Sequence, residues 1–231
     1  NWPGVTVEKK EGKLKGKRKN DDIIVTDLPG IYSLSPYTLE EVVSRDYLLK
    51  EKPDVIIDLV DATNIERNLY LATQLLEIGI PVVIALNMVD LLKKNNIHIN
   101  VKGLSSALGC PIVETSALKG TGLKEVVDEA IKCANQHRVP SKQMEFPKAV
   151  NEIEGFVPAN IAEENKRWYA VKLLERDSKV KEGLNLPASA QSRIEEIASG
   201  LEKAEDDDTE SIVTDGRYQY IQKVVSANVK R

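Results

Sequence analysis

Apolar residues recur along the chain at two different spacings, and the change between them divides it. From residue 22 to residue 135, short unbroken apolar runs alternate with stretches of helical period. Residues 81–90 (PVVIALNMVD) contain a run that is too short for a buried helix, is rich in β-branched residues and is bounded by Pro81. It predicts a strand buried on both faces, and residues 53–60 (PDVIIDLV) predict another buried strand. Ile23, Ile24 and Val25 predict a further strand, and residues 111–115 (PIVET) the last one. Residues 5–10 and 13–19 read as a hairpin joined at Glu11-Gly12. Between these lie predicted helices. Thr38 with Glu41 forms a capping box for a helix reaching about Lys50. Residues 64–78 place Leu69, Ala72, Leu75 and Leu76 on one face and stop at Gly79. Shorter helices follow at 91–94 and 102–108, and a longer one at 123–135. Strands alternating with helices predict a parallel, doubly wound α/β sheet.

Beyond Gln136 the strand pattern stops. Residues 136–147 read as a linker, with the narrow break at 138–146. Helical spacing then returns at 159–175, where Ile161, Trp168, Val171 and Leu174 recur, at 188–204 behind Pro187, and at 210–229 behind a cap at Asp208 or Thr209. Trp168 and Tyr169 fall inside a helix period and read as core. The acidic run 205–208 reads as a solvated loop before a helix. The expected division is therefore 1–137, linker 138–146, and an all-α part 147–231.

The strand ends carry the candidate chemistry, because open α/β sheets bind ligands beyond the carboxyl ends of their strands. Asn87, Met88, Val89 and Asp90 form an N-x-x-D string. A carboxylate such as Asp90 can accept two N–H donors side by side, and guanine presents N1–H and N2–H₂ in that geometry. Adenine lacks that pair, so discrimination would rest on a bond left unpaired by the wrong base. Asp27, Leu28, Pro29 and Gly30 form a D-x-x-G string after an earlier strand. There the carboxylate could hold a Mg²⁺ water, and the glycine would let a backbone amide approach a terminal phosphate. Ser116, Ala117 and Leu118 follow the last strand, and the Ala117 amide could donate to guanine O6. Each string is weak alone. The three together, each after a buried strand and in this order, predict a guanine-nucleotide site.

Composition narrows the alternatives. The 231 residues suffice for one large or two modest domains, and 42% hydrophobic with 29% charged residues is an ordinary globular balance. A net charge of −4 gives no global pull toward nucleic acid. Seven Lys/Arg between Lys9 and Lys19 read as a solvated, lysine-protected edge. Cys110 and Cys133 stand far apart, as reduced thiols do, and His98 and His137 have no partner at metal-ligand spacing. No apolar run reaches the roughly 18–20 residues of a membrane helix, and no signal-peptide pattern opens the chain.

The strings NWPGVTVEKKEG, DLPGIYSLSPY, NMVD and TSALKGTGL together resemble the cytosolic G domain of the ferrous iron transport protein B family, over about residues 1–136. RWYAVKLLERD and RYQYIQKVV resemble the helical domain that follows it there. The resemblance implies a Ras-like P-loop GTPase fold followed by a small all-α domain. It also implies a cytosolic region that binds and hydrolyses GTP for a ferrous iron transporter, at the cytoplasmic face of the bacterial membrane. In that reading Gly4, Val5, Thr6, Val7 and Glu8 are the first switch loop. Thr6 and Asp27 hold Mg²⁺, and Thr6 and Gly30 serve the terminal phosphate. The partners are GTP or GDP and an Fe²⁺-conducting membrane domain of the same parent chain; no nucleic acid is implied, and a homo-oligomer stays open.

Two departures stand out. No phosphate-binding loop is present: Gly12 to Arg18 has three residues between its glycines and lacks the Ser/Thr. The family places that loop and a central first strand before NWPG. The expectation is a natural polypeptide with a further N-terminal segment, without which residues 1–231 fold and hold triphosphate poorly. Second, Ile31 follows the D-x-x-G glycine where Ras-like proteins carry a water-orienting Gln, which predicts slow hydrolysis. Two other readings remain: a soluble GTPase acting on the ribosome or tRNA, and a non-catalytic regulatory module.

Overall fold

The computed structural model describes residues 9–14, 23–92, 94–141 and 144–231. They divide into two compact units, Asn1–Pro53 and Asp54–Arg231.

In the first unit β1 (Lys10–Lys13) pairs antiparallel with β2 (Ile24–Asp27), with Lys10 opposite Asp27 and Lys13 opposite Ile24. Glu11 and Gly12 therefore lie inside a strand and not at a hairpin turn. A Glu-Gly pair between lysines carries turn chemistry locally, but a ladder to a distant segment of the chain overrides it. Residues 1–8 and 15–22 of the expected hairpin lie outside the described residues. The Thr38 hydroxyl accepts from the Glu41 amide at 3.2 Å and the Glu41 carboxylate accepts from the Thr38 amide at 3.3 Å, the reciprocal capping box. It starts α1 (Leu39–Asp46), which runs on through a wider π-helical turn, Tyr47–Glu51. Lys52, left-handed before Pro53, ends it.

The second unit is built on a parallel sheet of order β3-β4-β6, from β3 (Ile56–Asp61), β4 (Val82–Asn87) and β6 (Ile112–Glu114). Between them run α2 (Ile65–Leu75), α3 (Val89–Leu92), a short β5 (His98–Ile99), α4 (Val101–Leu108) and, after β6, α5 (Leu123–Asn135). The middle strand β4 is buried from Val82 to Leu86, as its unbroken apolar run predicts. Strand β3 departs from the expected burial: Asp58 and Val60 point in, while Ile57 and Leu59 stand exposed. Among the described residues β3 pairs with β4 alone, and an apolar run records that a residue can be buried, not that a neighbour covers it.

The remainder is helical: α6 (Lys148–Glu154), α7 (Glu163–Leu174), α8 (Ser178–Leu184), α9 (Ala188–Glu205) and α10 (Thr209–Asn228). Helices α6 and α8 are additions to the sequence reading; at seven residues each, they are too short to show a period. Trp168 is 1% exposed and lies in the core. Asp208 caps α10 by accepting from the Ser211 amide at 2.9 Å. The chain ends in β7 (Val229–Lys230), which pairs antiparallel with β5, so residues 111–115 do not hold the last strand.

The last helix packs against α2 and α4 as well as α7 and α9. Arg217 on α10 makes a two-pronged contact with Glu77 just past α2, its Nη2 lying 2.9 Å from Oε2, with both side chains about fully buried. Around this pair Tyr70 stacks on Tyr218 at 5.1 Å between ring centroids, and the Tyr220 hydroxyl donates to the Ala107 carbonyl at 3.1 Å. Helix α2 stops at Leu75, short of the expected 78, and Gly79 (φ +84°) lies in the turn beyond it, where it lets α7 come close: a Cβ there would sit 2.3 Å from the Glu164 carbonyl oxygen.

Candidate guanine-nucleotide site

Strand β4 delivers Asn87 to its carboxyl end, beside Asp61 of β3. The next residue, Met88, turns the chain in the left-handed region (φ +64°) and stands 41% exposed. Such a conformation is disfavoured for a side chain of this size and persists where surrounding bonds over-determine it. Here the Val89 amide donates to the Thr115 carbonyl at 3.3 Å, and α3 begins at once, carrying Asp90 on its first turn.

The loop after β6 is fixed onto Asn87. The Asn87 side-chain oxygen accepts from the Thr115 hydroxyl at 3.2 Å and from the Ala117 amide at 3.0 Å. Thr115 and Ser116 are buried, whereas Ala117 and Leu118 face outward, Leu118 by 93%. Ser116 and Thr121 exchange backbone bonds of 3.1 and 3.2 Å, closing the loop around a single 3₁₀ turn, Ala117–Lys119. Gly122 (φ +77°) completes it; a Cβ there would fall 2.1 Å from the Glu114 carbonyl oxygen, so this position needs glycine.

Asp90 sits under that loop. The Ser116 hydroxyl, buried and without a well-formed hydrogen bond among the described residues, is the main influence holding its carboxyl below the usual range, and Lys119 adds to it, its Nζ 3.5 Å from Oδ2. The side chain is 15% exposed, so an ionised, donor-seeking carboxylate lies at the rim of the site. The structure thus brings together Asn87, Met88, Val89, Asp90, Ser116, Ala117 and Leu118. Thr115, the first residue of the Thr115-Ser116-Ala117 string, and Lys119, which was not a sequence candidate, belong to the same cluster. Each adjoins a motif residue, but no pattern in the sequence says that its side chain turns toward Asn87 or Asp90.

The first unit carries the other candidates. Asp27 ends β2 and is exposed; Leu28 and Gly30 are half-buried and Pro29 is buried. The turn is held from behind by α1: the Ser44 hydroxyl donates to the Pro29 carbonyl at 3.4 Å, and the Tyr47 hydroxyl donates to the Thr26 hydroxyl at 3.0 Å. The switch candidates Gly4, Val5, Thr6, Val7 and Glu8 lie outside the described residues. Among the described residues no group of three His, Cys, Asp or Glu side chains could hold a metal, and no helix is long and apolar enough to cross a membrane.

The chain resembles known proteins over nearly its whole length. The family model described as ferrous iron transport protein B matches residues 1–130, more than half of the chain. The chain belongs to the ferrous iron transport protein B family. A second model, the cytosolic helical domain of the same family, matches residues 144–230. The Fe(2+) transporter FeoB of Escherichia coli (strain K12) is 36% identical over 234 residues, covering 96% of this chain and 29% of that protein; the transporter of Salmonella typhi matches with the same figures. The chain therefore spans under a third of the length of these curated relatives. Among solved structures, mGMPPNP-bound NFeoB from S. thermophilus is 45% identical over 98% of this chain and 86% of that one, with a TM-score of 0.87. A GDP-bound mutant of the S. thermophilus FeoB G-domain is 44% identical over 100% and 89%, with a TM-score of 0.90. NFeoB from the same organism bound to GDP.AlF4- and K+ is 45% identical over 98% and 88%, with a TM-score of 0.87. The fold is accordingly the Ras-like G-domain fold followed by the family's helical domain.

Proposed function

We propose that this chain binds guanine nucleotide and, in its parent protein, hydrolyses GTP slowly as the cytosolic regulatory region of a ferrous iron transporter. The observation that carries the reading is Asp90: an ionised carboxylate on the first turn of α3, just past the end of the middle strand and under a loop pinned to Asn87. It accepts guanine N1–H and N2–H₂, while the Asn87 amide nitrogen remains to donate to the base. The Ala117 amide is the backbone donor assigned to O6; it donates to Asn87 Oδ1 at 3.0 Å here and would share or give up that bond when the base is bound. Met88 and Leu118 offer apolar surface beside the ring.

The phosphate end is assigned to Asp27, Leu28, Pro29 and Gly30, with Gly4, Val5, Thr6, Val7 and Glu8 as the first switch. One exposed carboxylate at a strand end suits Mg²⁺, which takes one or two carboxylates and completes its shell with phosphate and water. Asp27 and Thr6 would hold it, and the ion would neutralise charge on the phosphates. Gly30 would bring a backbone amide to the terminal phosphate. Ile31, next in the chain, cannot orient water as a Gln does, so positioning and Mg²⁺ would supply most of the rate. The proposed division is a G part at 1–137, a linker at 138–146 and a helical part at 147–231, at the cytoplasmic face of the membrane.

The test is displacement of a fluorescent GDP analogue. GDP and GTP should displace it and ATP should not, and Asp90→Asn should weaken GDP by at least about 100-fold, as loss of a paired recognition bond does. Equal displacement by ATP, or an Asp90→Asn variant that binds GDP normally, would sink the reading.

A further inference from the structure

The loop that carries Ala117 also brings a cation to Asp90, and that contact bears on how the base is admitted. Lys119 closes the 3₁₀ turn, and left-handed Gly120 (φ +69°) ends it. The turn has little freedom: Ser116 and Thr121 close its base, the Lys119 amide donates to the Ser116 carbonyl at 3.1 Å, and the Ala117 amide is tied to Asn87. From this fixed root the Lys119 side chain reaches across the loop, and its ammonium lies 3.5 Å from Asp90 Oδ2. The lysine is 59% exposed and its partner only 15%, so the ammonium stands on the solvent side of the pair. A lysine ammonium is a donor with no acceptor capacity, as is the N1–H/N2–H₂ edge of guanine. Paired recognition of that edge uses both carboxylate oxygens, and one of them is engaged by Lys119.

We infer that Lys119 is a positioning and affinity-setting residue that competes with guanine for Asp90. This rests on the guanine reading of the site. Lys119 keeps the carboxylate in place and supplied with a donor, and the base enters by displacing the ammonium into solvent. The cost of displacement is small, because the lysine half of the pair is solvent-exposed and its ammonium stands 3.5 Å from the carboxylate; removing the lysine should tighten base binding only roughly two- to five-fold. The gain belongs to the association step, since the competitor has already left when the base is bound.

Guanosine is the probe, because it is uncharged and a lysine exerts no pull on it through phosphate. Its affinity and exchange rates can be read by NMR line-shape titration of the full-length protein and its Lys119→Met, Lys119→Arg and Asp90→Asn variants. Lys119→Met should bind guanosine roughly two- to five-fold tighter through faster association with unchanged dissociation. Lys119→Arg, which keeps a cation, should stay near the parent, and added salt should narrow the gap between Lys119→Met and the parent. Faster dissociation of guanosine from Lys119→Met would show that the lysine holds the bound base, and would overturn the inference, as would unchanged kinetics. Asp90→Asn separates the two levels. If it abolishes guanosine binding while Lys119→Met changes nothing, only the competition falls. If it leaves guanosine binding intact, the guanine site falls and the competition with it.

Discussion

Asp58 shows how far one side chain can depart from its surroundings. It lies on the inward face of β3, 6% exposed, and its Oδ2 has no hydrogen-bond partner among the described residues. Burial pushes its carboxyl up to about 7. A carboxyl whose folded value lies above its unfolded value of about 3.9 binds its proton more tightly when folded. Its contribution is therefore fully favourable at acid pH and is lost as pH rises from about 4 toward 7. Asp58→Asn, close in shape and unable to ionise, should match the parent near pH ~4 and exceed it at pH ~8 by on the order of 4 kcal/mol. Urea unfolding at the two pH values checks this, and a difference that is equal at both would contradict it. The same residue marks a limit of sequence reading: in VIIDLV the aspartate interrupts an apolar run, and nothing local says which face it takes. Asp90, by contrast, was legible as a candidate, because the N-x-x-D string depends on its three predecessors and on the end of a strand.

At the scale of elements the decisive contact is between α2 and α10. The buried Arg217–Glu77 pair joins residues 140 positions apart. Burial alone would push the Glu77 carboxyl up, and the guanidinium opposes this. Because each charge is matched chiefly by the other, removing one partner strands the second in the core. Glu77→Ala should cost about 3–5 kcal/mol, whereas replacing both partners, as in Glu77→Leu with Arg217→Met, should recover most of it. Chemical denaturation of the single and double variants measures the effect; a double variant no better than the single would show that the pair itself is net stabilising. The individual helices were legible, since α5 has an apolar stripe and α10 an Asp cap. Their partners were not, since an apolar stripe specifies that a face is covered and not by what.

For the whole molecule the parallel sheet of Asp54–Arg231 is the platform on which the loops carrying Asn87, Asp90 and Ala117 stand. Ligand that binds the folded chain and not the unfolded one stabilises it by mass action. GDP at about a hundred times its Kd should therefore add about 2.7 kcal/mol to unfolding, while ATP at the same concentration should add nothing. Thermal or urea unfolding with each nucleotide reads this directly, and equal shifts from both would contradict guanine selectivity.

The sequence by itself determined the alternation of strands and helices, the burial of β4, the Thr38–Glu41 and Asp208 caps, and the motif strings that point to the family. These depend on residues within a few positions of one another, where periodicity, capping and turn chemistry act. The tertiary structure alone decided that β1 pairs with β2, that Ile57 and Leu59 stand exposed, that β7 completes a ladder with β5, and that Lys119 reaches Asp90. Each of these is a meeting of segments apart in the chain, and it is settled by packing and by which hydrogen bonds can be satisfied together, for which a local pattern carries no record.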